Sequence, residues 1–180
     1  IKRMKRKEKL DLINKKNVGK ENMFTYPVIL LLDNVRSVQN VASLFRIADC
    51  VGVQKIVLGG ITPGPVDRFN RPRKDFTKIS LGAEKSVGWE SAENIPAIIR
   101  KYKKEGYAIV ALEQSAKSTP YTKYKMKQPT LIIVGTEVDG VSKEVLKLCA
   151  THLEIPMVGK KESLNVAVAT SVLLFQLRDN

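Results

Sequence analysis

Residues 130–177 read TLIIVGTEVDGVSKEVLKLCATHLEIPMVGKKESLNVAVATSVLLFQL, and this stretch decides the fold. Two short apolar runs, Thr130–Val134 and His152–Ile155, each lead into a tight polar turn. Continuous apolar runs of this length suit strands covered on both faces. The first turn is GTEVDG at 135–140, and Ser142 after it can cap a helix reaching Cys149. The second, Val158 to Ser163, passes through SLN (163–165) into an almost wholly apolar helix. Val166, Val168, Val172, Leu173, Leu174 and Phe175 span more than one side of that helix, so it must be covered on several sides. Binding groups sit where parallel strands end in loops, so the two turns together predict a pocket.

Working upstream, the same strand-and-helix alternation recurs. Pro27 leads into VILLL (28–32), which Asp33 and Asn34 end. In VRSVQNVASLFRIADCVG (35–52), Val41, Leu44, Phe45, Ala48 and Val51 fall at helical spacing. Asn40 reads as the N-cap of this helix and Gly52 as its close. A strand at Lys55–Leu58 follows and ends in Gly59-Gly60, completing a strand–helix–strand unit. Residues 61–78 read as a loop holding Pro63, Gly64, Pro65 and Pro72. Ser80–Val87 reads as a short helix or turn. Asn94 or Ser91 caps a helix carrying Ile95, Ile98 and Ile99 and ending near Gly106. Tyr107–Leu112 reads as a strand running into EQSAKS (113–118), and 117–129 as a basic, Tyr-containing connection. The alternation predicts an α/β domain with a mainly parallel sheet and helices on both faces. The division expected is a basic arm at 1–26 and one domain at 27–180.

Composition narrows the chemistry. A chain of 180 residues, 43% apolar, fits one domain with a substantial core. Its 31 basic against 18 acidic residues, net +13, point to an anionic partner, RNA or DNA before membrane. Nine Lys or Arg fall in residues 1–20. In the 61–78 loop, Arg68, Arg71, Arg73 and Lys74 alternate with Phe69 and Phe76, a pattern that can clamp phosphates and stack a base. Two cysteines outside any CxxC and one histidine argue against a metal site and against a disulfide scaffold. A reducing cytoplasm is the expected setting. The most apolar segment, Val166–Leu177, is too short to span a bilayer. There is no GxxxxGK[ST] and no GxGxxG after a strand, so neither usual phosphate loop is indicated. His152 reads as structural, which leaves no Ser-His-Asp set.

The ligand site must then come from other strand and helix ends. Asn40 with Arg46, Glu137 in GTEVDG, and Ser163 with Asn165 in SLN are the polar candidates. Leu112, Ile155, Met157 and Leu164 could wall an adenine, and Gly135, Gly140 and Gly159 would let backbone approach a ligand. Taken singly these are ordinary. An Arg on an amphipathic helix usually pairs with a carboxylate, and an Asn near a helix start usually caps it.

Their combination resembles a known family. DNVRSVQNVASLFRIADCVG (33–52) resembles the first motif of the SpoU, or TrmH-like, RNA ribose methyltransferases. LIIVGTEVDGVSKEVL (131–146) resembles the second motif and HLEIPMVGKKESLNVAVAT (152–170) the third, all in the family's order. SLGAE (80–84) and EGYAIVALEQSAKS (105–118) further resemble the branch acting on tRNA guanosine. The resemblance implies a fold whose C-terminal part forms a trefoil knot, the SPOUT arrangement. It implies bound S-adenosyl-L-methionine, contacted by Leu112, Gly135, Ile155, Met157 and Leu164, and a homodimer. The reaction implied is methylation of a ribose 2′-hydroxyl in RNA, tRNA first and rRNA as the alternative, with no metal. Arg46, Asn40, Glu137, Ser163 and Asn165 would form the catalytic set, Arg46 acting either as base or as a cationic stabiliser. RNA would be gripped by the arm, by Arg68, Arg71, Arg73 and Lys74, and by the dimer partner. Two other readings remain open: a non-catalytic RNA-binding member of the fold, against which the intact Arg46, Glu137, Ser163 and Asn165 argue, and a base methyltransferase of the wider knotted superfamily.

Overall fold

The computed structural model describes residues 24–136 and 138–179. The basic arm up to residue 23, and Glu137, lie outside the described residues. Seven strands form one sheet: β1 (Val28–Asp33), β2 (Lys55–Gly59), β3 (Gly88–Ala92), β4 (Ala108–Leu112), β5 (Thr119–Pro120), β6 (Thr130–Val134) and β7 (Thr151–Glu154). Their order is β3-β2-β1-β6-β4-β7-β5, and every pairing is parallel. The sheet is flanked by α1 (Val38–Val51), α2 (Lys74–Ser80), α3 (Ala83–Ser86), α4 (Ile95–Lys104), α5 (Lys143–Leu146) and α6 (Val166–Arg178).

The continuous apolar run of β1 is explained by its central place. Val28, Leu30 and Leu32 enter the core shared with α1, α2 and α6. Ile29 and Leu31 point the other way, into the core under α4 and α5. A strand covered on both faces needs apolar residues at every position. Phe45 of α1 and Phe76 of α2 meet edge to face, centroids 5.3 Å apart, and both are fully buried.

Several local expectations change. The N-cap of α1 is Ser37, whose Oγ accepts from the Asn40 backbone N–H at 3.3 Å, so Asn40 lies in the first turn. The 61–78 segment is not all loop, because α2 begins at Lys74 and carries Phe76 into the core. Phe76 is therefore unavailable for base stacking. The strand β3 was not expected, since GWESA is half polar. It pairs only with β2, and an edge strand needs little apolar sequence. The strand at 107–112, the apolar strand at 130–134 and the Asn94 cap of α4 stand as expected. The helix after Ser142 is a single turn, and Ser142 makes no side-chain cap bond.

The strand order bears on threading. β7 lies between β4 and β5, so the 113–129 connection runs outward past β7 to β5 and back to β6. The chain leaving β7 starts between these two limbs on its way to α6. That crossing order fits the C-terminal knot which the resemblance implies. Among the described residues no helix is long and apolar enough to cross a membrane.

Candidate functional site

In a parallel sheet every strand ends on the same side, and here the C-terminal ends of β4, β6 and β7 open into a cavity of about 360 Å³. Its walls include Leu112, Gly135, Ile155, Met157 and Leu164, with Ser163 at the rim. The volume is that of an ordinary small-molecule site, and its walls mix these apolar side chains with Glu113, Asp139, Glu154 and Glu162.

The turn after β6 is built by close backbone approach. Thr136 and Gly140 exchange two backbone hydrogen bonds of 3.1 Å, and Thr136 Oγ1 accepts from the Asp139 N–H at 2.9 Å. A Cβ on Gly135 would lie 2.0 Å from the Gly140 carbonyl oxygen, so only glycine lets the turn fold back. Two carboxylates hold the far side of the turn. Glu113 Oε2, just past the end of β4, accepts from the Val141 N–H at 2.7 Å. Asp33 Oδ2, at the end of β1 and 1% exposed, accepts from the Ser142 N–H at 2.8 Å. Asp33 Oδ1 also accepts from Asn34 Nδ2 at 2.8 Å, which satisfies both oxygens of a buried carboxylate.

Glu113 also accepts from the Gln114 N–H through Oε1, at 3.1 Å. Glu113→Gln replaces one acceptor oxygen by an NH₂ facing one of these donors. The expected loss of folding stability is about 1–3 kcal/mol, measured by urea unfolding, and an unchanged midpoint would remove Glu113 from the turn's support. Neither Asp33 nor Glu113 was expected as a site residue. The available signal was their position as the first polar residue at the end of an apolar run.

The third-motif turn is exposed throughout 158–164, and Gln114 Nε2 donates to the Glu162 carbonyl at 3.0 Å across the cavity mouth. Asn165 caps α6, its Oδ1 accepting from the Ala167 and Val168 N–H groups at 2.9 and 3.4 Å. Its Nδ2 donates to Asn40 Oδ1 at 3.0 Å, so two residues 125 apart in sequence meet. Arg46 is exposed on α1, about 9 Å along the axis from Asn40 and about 120° around it. Among the described residues the cavity walls do not include Asn40, Arg46 or Asn165.

Other candidate groups resolve as structure. His152 Nε2 sits 3.2 Å from the Leu146 carbonyl and so carries the proton, leaving Nδ1 to accept from Ser115 Oγ at 2.9 Å. Burial, with the Asp33 charge behind it, pushes the Cys149 thiol up to about 12, so it is no nucleophile. Among the described residues no group of three His, Cys, Asp or Glu is placed to hold a metal.

The 61–78 segment presents Phe69, 61% exposed, with the Arg68 and Arg71 guanidiniums 4.7 and 4.9 Å from its ring centre. Arg71 also pairs with Asp67 at 2.8 Å, and its backbone N–H and guanidinium hold that carboxyl below its usual range. Arg73 pairs with Asp75 at 2.8 Å, while Lys74 opens α2 exposed to solvent. Half of this predicted grip is thus internally neutralised.

Comparison with known proteins bears on what the cavity holds. Residues 27–175 match the model of the SpoU rRNA Methylase family. The chain is 31% identical over 149 residues to the tRNA (guanosine(18)-2'-O)-methyltransferase of Aquifex aeolicus, covering 83% of this chain and 67% of that one. It is 29% identical over 150 residues to the 23S rRNA (guanosine-2'-O-)-methyltransferase RlmB of Ralstonia nicotianae, covering 83% of this chain and 57% of that one. The chain therefore spans 57% to 67% of the length of these two curated relatives. The structure of an AdoMet-bound rRNA methyltransferase from Sinorhizobium meliloti superposes with a TM-score of 0.77 at 27% identity, over 85% of this chain and 56% of that one.

Proposed function

Because this chain belongs to the SpoU rRNA Methylase family, we propose that it methylates a ribose 2′-hydroxyl in RNA using S-adenosyl-L-methionine, with a tRNA guanosine as the first substrate. One observation carries the reading. The five residues expected to contact the cofactor, drawn from three separate stretches of chain, line a single cavity at the strand ends. Leu112, Ile155, Met157 and Leu164 offer apolar walls for an adenine, and the Gly135–Gly140 turn brings bare backbone to the cavity. When bound, the cofactor supplies an electrophilic methyl group.

A 2′-hydroxyl is a weak nucleophile, so the protein must position it and stabilise the charge that grows as its proton leaves to water. Positioning alone can supply up to roughly 7–11 kcal/mol in well-held cases. Arg46 is assigned the electrostatic role, because an exposed guanidinium acts as a cation and meets a phosphate or a developing alkoxide with a fixed fork of donors. Asn40 and Asn165, bonded to each other, position the start of α1 against the SLN turn. Ser163 at the cavity rim faces the ribose, and Glu137 on the GTEVDG turn completes the set.

A homodimer is part of the same reading. Val168 and Phe175, 48% and 41% exposed, leave an apolar stripe on α6 for a second copy to cover. The cytoplasm is the compartment where such an RNA substrate is met.

The test incubates the protein with S-adenosylmethionine and separated tRNA and rRNA, then digests each to nucleosides for mass spectrometry. Ribose-methylated guanosine from tRNA is the expected product. Methyl found only in rRNA transfers the assignment to that RNA, and a base-methylated product or none overturns the reaction.

A further inference from the structure

The same strands that hold the cavity at one end carry a second concavity at the other. A cleft of about 750 Å³ opens at the N-terminal ends of β4 and β6, with Ala108 and Ile109 in its floor. Leu112, in the cavity wall, is four residues further along β4, or about 13 Å of strand. The two sites therefore face opposite edges of the sheet.

The walls of this cleft are basic. Lys103 comes from the last turn of α4, and Lys123, Lys125 and Lys127 come from the connection between β5 and β6. All four are exposed. Among the described residues no Asp or Glu lines the cleft, and no carboxylate lies within 4 Å of any of the four ammonium groups. Arg71 and Arg73 of the 61–78 segment, by contrast, each already hold an aspartate. Ammonium groups not already paired with carboxylates are available to neutralise backbone phosphates, and each phosphate so neutralised releases a cation condensed on the nucleic acid.

Both tyrosines in the cleft are engaged by the protein itself. Tyr107 packs edge to face on Tyr102, centroids 5.2 Å apart, and Tyr124 packs against the main core. Four lysines and, among the described residues, no carboxylate suit backbone phosphates before base edges.

We infer that the Lys103–Lys123–Lys125–Lys127 cleft is a second RNA-backbone contact, gripping the substrate on the edge of the sheet away from the methyl-transfer cavity. The inference rests on the RNA-substrate reading above and extends it. An RNA reaching both sites must wrap the β4–β6 side of the domain. Long or folded RNAs gain this contact, and a short hairpin confined to the cavity edge does not.

The test uses the triple variant Lys123→Ala/Lys125→Ala/Lys127→Ala of the full chain. With full-length RNA, Kd is expected to rise at least about 10-fold near physiological salt, and the slope of log affinity against log salt to fall by about 2–3. Affinity for S-adenosylmethionine is expected to be unchanged, and a short hairpin to bind variant and wild type alike. If wild type methylates RNA while the variant keeps wild-type affinity and salt slope for full-length RNA, the second contact is overturned. That result is also the one expected if the cleft serves an acidic protein. Wild-type protein that transfers no methyl to RNA overturns the proposed reaction instead, so the two failures are distinct. An equal loss on the short hairpin overturns the far-edge placement.

Discussion

Arg46→Ala is expected to slow methyl transfer to RNA by about 100- to 1,000-fold, the usual cost of deleting one preorganised donor to a developing charge. The folded protein should survive the change. Arg46 is exposed, whereas its neighbours Leu44, Phe45 and Ala48 anchor α1 in the core and Ser37 caps it. Exposed substitutions of this kind usually shift stability by no more than about 0.5 kcal/mol. Affinity for S-adenosylmethionine should also be unchanged, since the cavity walls are made by other elements. Arg46→Lys keeps the cation but loses the planar fork, so partial activity is expected. Single-turnover transfer of labelled methyl, paired with calorimetric titration of the cofactor, separates these effects. Near-normal turnover in Arg46→Ala would remove the residue from the reaction. Lost cofactor affinity would reassign it to the cavity.

The parts of this fold legible in sequence are those where composition and position coincide. β1, β4 and β6 are central, so each must be apolar along its length, and their runs stand out. β3 sits on an edge, so GWESA carries no continuous apolar run; Trp89 packs on the main core and Glu90 pairs with Lys55 of β2. The Pro and Gly residues at 63–65 read correctly as a loop but masked the helix beginning at Lys74, whose one fully buried apolar residue is Phe76.

The site divides the same way. Leu112, Gly135, Ile155, Met157 and Leu164 were reachable because each lies at a strand end or on a motif turn. Glu113 and Asp33 were not, because their roles depend on register. Their carboxylates meet Val141 and Ser142 only once β1 and β4 flank β6. Asn165 illustrates a third case. Its cap of α6 is local and readable, while its bond to Asn40 exists only in the folded chain.

That dependence on register makes Gly135 the most sensitive point of the cavity. Gly135→Ala is expected to weaken S-adenosylmethionine binding by at least about 100-fold, or about 2.7 kcal/mol. The added Cβ would fall 2.0 Å from the Gly140 oxygen and 2.3 Å from the Val141 nitrogen, both backbone atoms that cannot swing aside like a side-chain tip. The turn must open, and opening it withdraws the Val141 and Ser142 N–H groups from Glu113 and Asp33. Asp33 is buried and would lose one of its two partners. Leaving a buried acceptor short of its donor costs about 1–3 kcal/mol, more when it is charged. Thermal stability should therefore fall together with affinity. Gly159→Ala supplies the contrast for stability, since a Cβ there meets nothing within 4 Å and should leave the unfolding temperature unchanged. Calorimetric titration and thermal unfolding of both variants decide the matter. A Gly135→Ala protein that binds cofactor as wild type does would show that the cofactor does not use this turn, and the cavity would have to be assigned to another ligand.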